Sequence, residues 1–509
     1  MKIKKLLSTS LIFFLPFFFI IFIIFCINVL IKDFNYSHKS HNLYPSEVNW
    51  IKYYYALNKK KITNFFINLN NDEEGLPIVK IYVPEKTSRG LLSDVPYSTK
   101  KYLNGEILIN NETKKAQMRY LGDNPKNWMF SQKNIRLKLR KSELENRRRY
   151  FEYKAQPDIL QRYTAYKFAK KLDLLVTDAR LVELLVNDKS AGIYIETERL
   201  NESFLRRNKI MPINLYKGEA FMNSEKKIGL EFYLDQNPGL WEKISFYNQV
   251  EKDDYTDLIR LFNNIKSAES SKKKLNQIIK FDNIEMFARA SILEILLNSS
   301  NGDYIHNRRI ALDPWSGKTY IIPHDFTYDN SEIDEESFTL DKSFTNLFTV
   351  LHQSSKFLDV KYNILYQVIK EEKIFDKIID DLRDLKDEYL VSHKTDLGSV
   401  HRVYVRNKNI DSENQNEKNY DDFIKSLKKR EKQIINFLEK NPKVSWSNHK
   451  KGFNIKIEKI LPISNLIVKF NKKNPKWIIL DYNNNQIIDE EDKYFYPNTS
   501  GNFKINLKL

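Results

Sequence analysis

The sequence predicts an α+β protein preceded by one long apolar segment, and three patterns predict it. Short apolar runs bounded by turn residues, Ile78-Val79-Lys80-Ile81-Tyr82-Val83 and Glu106-Ile107-Leu108-Ile109, mark a β-rich part from Leu76 to Leu139. Longer stretches with apolar residues at helical spacing, Tyr255 to Ile265, Leu275 to Leu297, Leu358 to Leu390 and Tyr420 to Leu438, mark a helical part after it. An almost unbroken apolar run, Leu11 to Ile31, stands in front of both.

That run follows Lys2, Lys4 and Lys5. At about 1.5 Å per helical residue it spans roughly 30 Å, the thickness of a bilayer's hydrocarbon core. It exceeds the apolar core of a signal peptide, and Asn28-Val29-Leu30-Ile31-Lys32 offers no small-residue cleavage site. The expectation is an uncleaved membrane anchor within residues 1–32. The basic residues ahead of it place the N-terminus in the cytoplasm and the bulk of the chain outside it. The single cysteine, Cys26, lies in this run, so an intrachain disulfide is excluded and the rest of the chain relies on its core.

Between the anchor and the β-rich part, residues 33–75 read as a polar spacer with a helix around Ser46 to Leu57. Within the body, Asp158 to Leu172 has helical spacing. Leu181-Val182-Glu183-Leu184-Leu185-Val186 reads as a strand that turns through Asn187-Asp188-Lys189-Ser190-Ala191-Gly192 into Ile193-Tyr194-Ile195. After Asn441-Pro442 the pattern changes to short strands, including Phe453-Asn454-Ile455-Lys456-Ile457 and Trp477-Ile478-Ile479-Leu480, so residues 442–509 are expected to form a small β-rich module.

Lys and Arg total 83 against 66 Asp and Glu, a formal charge of +17. Such a charge favours anionic partners, but lysines spread along the whole chain read first as a solvated surface. No zinc-finger, helix-turn-helix or RNA-recognition signature accompanies them, and no nucleic-acid partner is expected. Ser270-Ser271-Lys272-Lys273-Lys274 reads as an exposed turn between helices.

The chemistry concentrates in two turns. One is Asn301-Gly302-Asp303-Tyr304-Ile305-His306-Asn307-Arg308-Arg309; the other, Pro323-His324-Asp325-Phe326-Thr327, follows the strand-like Thr319-Tyr320-Ile321-Ile322. Asp303, Asn307 and Asp325 are hard oxygen donors of the kind that hold Mg²⁺ or Mn²⁺. A carboxylate beside an attacking hydroxyl, oxygen ligands for the metal and a cation on the phosphates are what phosphoryl transfer requires. Taken singly, each Asp is an ordinary turn residue. His306 and His324 admit a zinc-hydrolase reading, but no His-Glu-x-x-His or cysteine pair supports it.

These residues resemble the spore-coat-protein-H (CotH) kinase family, an atypical branch of the protein-kinase-like fold. Three upstream segments extend the resemblance in the family's order. They are Met118-Arg119-Tyr120-Leu121-Gly122-Asp123-Asn124 as an Arg-Gly turn, Gln132-Lys133-Asn134-Ile135-Arg136-Leu137-Lys138-Leu139 as a Lys-bearing strand, and Gly192-Ile193-Tyr194-Ile195-Glu196-Thr197-Glu198. The match covers roughly Leu76 to Asp396, and a kinase-like domain is expected over residues 76–441.

The resemblance implies a two-lobed fold, β-rich then helical, and transfer of the ATP γ-phosphate to a hydroxyl acceptor, in the family a protein Ser or Thr. It implies Asp303 as the catalytic carboxylate, Asn307 and Asp325 as Mg²⁺ (or Mn²⁺) ligands, and Lys133 with Gly122 on the nucleotide. Arg136 and Lys138 leave the register of the lysine open by a few residues, and Glu198 falls either beside that lysine or against the adenine. Two departures stand out: Leu121-Gly122-Asp123-Asn124 replaces an Arg-Gly-Asn-Ser-like turn, and His324-Asp325-Phe326-Thr327 lacks a second carboxylate. Asp329 to Glu336 is an acidic loop placed where a kinase has its activation segment. ATP is scarce outside the cytoplasm, so a non-catalytic scaffold organising cell-envelope or coat components on the same fold is the alternative.

Overall fold

The computed structural model describes residues 19–28, 50–68, 74–93, 101–109, 112–122, 132–155, 158–219, 233–248, 252–269, 284–299, 304–330, 338–400 and 417–439. Isolated residues between them and short strands within 443–506 are also described. The chain is mixed α+β. Helix α1 (Trp50–Asn68) leads into β1 (Ile78–Tyr82), α2 (Glu85–Ser93), β2 (Leu103–Ile109), β3 (Glu112–Tyr120), β4 (Ile135–Leu139) and β5 (Tyr150–Lys154). Then come α3 (Ile159–Lys171), β6 (Arg180–Val186) and β7 (Lys189–Glu198).

The seven strands close into a barrel in the order β1-β2-β3-β4-β5-β7-β6. Every pairing is antiparallel except β1 with β6, where Ile78 faces Glu183 and Ile81 faces Val186. Alternation fills the interior: Ile81, Ile107, Met118, Leu137, Phe151, Val182, Leu184 and Tyr194 are each at most 1% exposed. Closure leaves no open strand edge. Tyr53 and Leu57 of α1 join this core, and α1 is tied down further by Lys60 to Ser399 Oγ at 3.1 Å. The helix therefore runs past the expected Leu57 and packs as part of the body within the stretch read as a polar spacer.

After the barrel come α4 (Glu202–Arg207), β8 (Asn214–Gly218), β9 (Trp241–Ser245), α5 (Thr256–Ala268), α6 (Ile284–Leu297), β10 (Arg308–Leu312) and β11 (Thr319–Ile321). Four strands form a second sheet in the order β11-β10-β8-β9. The helices α7 (Asn346–Leu351), α8 (Ser355–Tyr366), α9 (Ile374–Thr395) and α10 (Glu417–Glu439) complete a second, larger core with α3, α5 and α6. The single helix expected over Leu358 to Leu390 is two, because Gln367–Glu371 winds as a π-turn and Lys373 takes φ +51° before α9 begins. Apolar spacing continues across that break, which is why the sequence hides it.

Strands Lys443–His449 and Gly452–Glu458 pair as a hairpin, and Ile478–Leu480 pairs with Lys493–Phe495. About half of the expected membrane span, Leu11 to Ile31, falls outside the described residues. Its residues 19–28 are helical and expose Phe19, Ile20 and Phe22. Among the described residues no helix is long and apolar enough to cross a membrane.

Candidate functional site

The two chemistry-bearing turns flank the hairpin β10–β11. Its register pairs Ile310 with Ile321, and the Ile322 amide donates to the Arg309 carbonyl at 3.0 Å. Continued by two residues, that register sets Asn307 opposite His324, so Asn307 and Asp325 leave the hairpin at the same end. Both take left-handed backbone angles, φ +57° and +58°. Asn and Asp tolerate this region better than other side chains do, which suits them to such corners. Across the gap the Phe326 ring lies on Gly302, where an added Cβ would come 3.0 Å from Phe326 Cζ. Gly302 thus lets the first turn approach the second. Asp303, the expected catalytic carboxylate, lies outside the described residues, between Gly302 and Tyr304.

Asp325 is held by α3. Arg162 Nη1 donates to Asp325 Oδ1 at 2.6 Å and to its carbonyl at 3.0 Å, while Arg162 Nε donates to Asp158 Oδ1 at 2.9 Å. Thr327 Oγ1 donates to the other Asp158 oxygen at 2.7 Å, so both sides of the Asp325 turn are tied to the start of α3. Burial alone would lower the Arg162 pKa, but Asp325 and Asp158 outweigh it and hold the guanidinium charged. The Asp325 side chain keeps 32% of its surface exposed, enough to meet a ligand from the cleft.

From the barrel, Lys154 approaches the same turn. Its strand is buried along almost its whole length, yet it carries Glu152 and Lys154 two apart and therefore on one face. Lys154 Nζ lies 3.4 Å from Glu152 Oε2, and Arg136 Nε donates to Glu152 Oε1 at 2.8 Å. Burial would raise the Glu152 carboxyl, but Arg136 and Lys154 prevail and take it down to about 2. Burial would likewise discharge Lys154; the negative fields of Tyr166, Glu152 and Asp325 raise its pKa instead. Neither Lys154 nor Arg162 was singled out from sequence. The signal was there: two opposite charges at i and i+2 inside an aromatic, otherwise buried strand, and Asp158 four residues before Arg162.

Lys133 sits just ahead of β4 rather than on it. Its ammonium is 5.4 Å from the centre of the Tyr120 ring, and burial lowers its pKa to about 8. Of the other cations in that register, Arg136 is taken by Glu152, and Lys138 lies further along β4 over the Tyr102 ring. Gly122 has φ +107°, and a Cβ there would come 2.3 Å from Asn127 Nδ2, so glycine is required on both counts. Asn134 connects this turn to the charged strand: its carbonyl accepts from the Leu121 amide at 2.9 Å and its side-chain oxygen from the Ala155 amide at 2.7 Å. Glu198 ends β7, where its carboxylate pairs with Arg207. Burial raises its pKa and Arg207 lowers it, with the net direction upward.

Beside Asp325, His324 is half-buried. Its pKa falls well below the usual histidine value through burial first, then through the fields of Arg309, Lys154, Lys217 and Arg136. The neutral imidazole is thus surrounded by cations. Glu219 faces Arg309 and Lys217 and accepts from the Asn307 amide at 3.4 Å. Cations outnumber carboxylates around His324, and such a surplus suits a polyanion such as a nucleotide's phosphates. The exposed carboxylate of Asp325 and the amide of Asn307 suit a hard divalent ion. Among the described residues no cluster of three His, Cys, Asp or Glu side chains forms a metal site.

A model of the family described as CotH kinase protein matches residues 130–444. The chain belongs to the CotH kinase family. The matched region contains the charged strand, α3, both turns and the helical core, and family membership assigns a kinase-type function. Two solved structures resemble the chain loosely. HipA, in the complex of the Shewanella oneidensis MR-1 toxin-antitoxin system with HipB and its operator DNA, is 11% identical, with 71% of this chain and 73% of that one covered at a TM-score of 0.27. The Helicobacter pylori proinflammatory kinase CtkA is 12% identical, with 65% and 88% covered at a TM-score of 0.23. No curated protein matches.

Proposed function

We propose that this CotH-family protein is a membrane-anchored, two-lobed kinase that transfers the ATP γ-phosphate to a hydroxyl acceptor, a protein Ser or Thr in the first instance. The observation that carries this reading is the convergence at one end of the β10–β11 hairpin. There the Asn307 and Asp325 corners meet the Gly302 turn through Phe326, within the electrostatic reach of Arg309, Lys154 and Lys217. Bound ATP with Mg²⁺ or Mn²⁺ would supply the phosphoryl group and neutralise its developing charge.

In this reading Asp325 and Asn307 hold the metal, and Asp303 orients the acceptor hydroxyl and takes its proton. Lys154 and Lys133 face the phosphates, and the Gly122 turn lets backbone approach them. Arg162 fixes the Asp325 carboxylate by holding Oδ1. The anchor Leu11 to Ile31 would place this chemistry at a membrane, with the body on its extracytoplasmic side and envelope proteins as substrates.

The test is transfer of labelled γ-phosphate by the purified protein in detergent, beside Asp325→Ala and Asp303→Ala. Transfer by the parent and loss in both variants supports the kinase. Nucleotide binding without transfer under either ion supports the scaffold reading, which the close Arg162–Asp325 pairing and the missing second carboxylate after Asp325 favour.

A further inference from the structure

A groove of about 600 Å³ crosses the outside of β2, β3 and β4. Along β4 the groove begins at Lys138, two residues and about 7 Å beyond Arg136 on the same face of the strand. Lys115, Lys138, Arg140, Lys141 and Arg149 line it with a single acidic residue, Glu106. Among the described residues Lys115, Lys138, Arg140 and Lys141 form no ion pair, whereas neighbouring Lys114 is paired with Glu145 at 2.6 Å. Two of the cations are held in place: Lys138 over the Tyr102 ring at 5.3 Å, and Arg149 by donation to the Leu139 carbonyl at 3.1 Å.

We infer that this groove docks an extended acidic segment of a protein partner that carries carboxylates at alternate positions. Lys138 and Arg140 are two residues apart along β4 and its continuation, about 7 Å at the strand rise, and an extended peptide repeats its side chains on one face at the same interval. Lys115 lies diagonally across from Lys138, because Gln117 is the residue that pairs with it. The closed barrel offers no edge for strand addition, so recognition falls to side chains. A concave groove suits a chain better than it suits the flat face of a bilayer. The inference goes beyond phosphotransfer and does not depend on it.

The test is fluorescence anisotropy of a labelled eight-residue Glu-Thr alternating peptide with the full-length protein in neutral detergent. The comparison is the double reversal Lys138→Glu/Arg140→Glu against Lys428→Glu/Lys432→Glu, an exposed pair on α10 with the same change of net charge. The groove reversal is expected to weaken binding at least tenfold and the control less than threefold, with a peptide of the same composition in two blocks binding more weakly than the alternating one. Equal losses in the two variants would mean net charge alone and overturn the proposal. So would groove-dependent binding of anionic phospholipid vesicles with no binding of the peptide.

Discussion

Replacing Lys154 with Met separates the site's function from its architecture. Met keeps most of the aliphatic stem and removes the charge. No carboxylate is orphaned, because Glu152 keeps Arg136 Nε at 2.8 Å and Asp325 keeps Arg162 Nη1 at 2.6 Å. Stability should therefore change by no more than about 1 kcal/mol. The charge itself is worth more to a ligand: two unit charges about 4 Å apart at an effective dielectric of about 20 interact by about 4 kcal/mol. If about half of that survives competition with solvent, nucleotide affinity falls by roughly 30-fold, and by nearly 1000-fold if all of it does. The assay is calorimetric titration of ATP with Mg²⁺ into parent and variant, with thermal unfolding of both. Affinity within threefold of the parent in a folded variant would refute the placement of Lys154 on the phosphates. A collapse of the melting temperature would refute the claim that its partners are otherwise satisfied.

Three further outcomes follow from the same geometry. Glu152→Gln removes the partner shared by two buried cations and should cost about 3–5 kcal/mol in urea unfolding, far more than Lys154→Met, and a loss under 1 kcal/mol would contradict the network. His324 stays neutral when folded but takes a proton when unfolded below its ordinary pKa of 6.5, so stability should fall by about 1.4 kcal/mol per unit as pH drops below 6.5. Urea midpoints at pH 7, 6 and 5 should show that slope, and His324→Gln should flatten it. Lys133, with its pKa lowered to about 8, loses its charge in the folded protein as pH rises through that value, so nucleotide affinity should weaken roughly tenfold from pH 7 to pH 9. A flat profile would remove Lys133 from the phosphates.

Much of the architecture was legible because burial leaves a period in the sequence. β1, β6 and β7 appear where alternation or short apolar runs placed them, and the α3 helix runs Ile159–Lys171 within the expected Asp158 to Leu172. The break between α8 and α9 was not legible, since the apolar spacing passes through Lys373 without a glycine or proline. The Asn307 and Asp325 corners were legible as turn chemistry. Lys154 and Arg162 were not, because a charged residue in a sequence carries no mark of whether it faces water or a buried partner.

The sequence by itself determined the mixed α+β class, the apolar N-terminal run, the family and the two turns that carry its chemistry, since each of these is a local pattern or an ordered series of them. The tertiary structure decided which charges work together. Arg136, Glu152 and Lys154 meet only because β4 pairs with β5, and Arg162 meets Asp325 only because α3 packs beneath the hairpin end, 163 positions away in the chain. Electrostatic coupling depends on separation in space and on exclusion of water, and neither quantity is written along the chain.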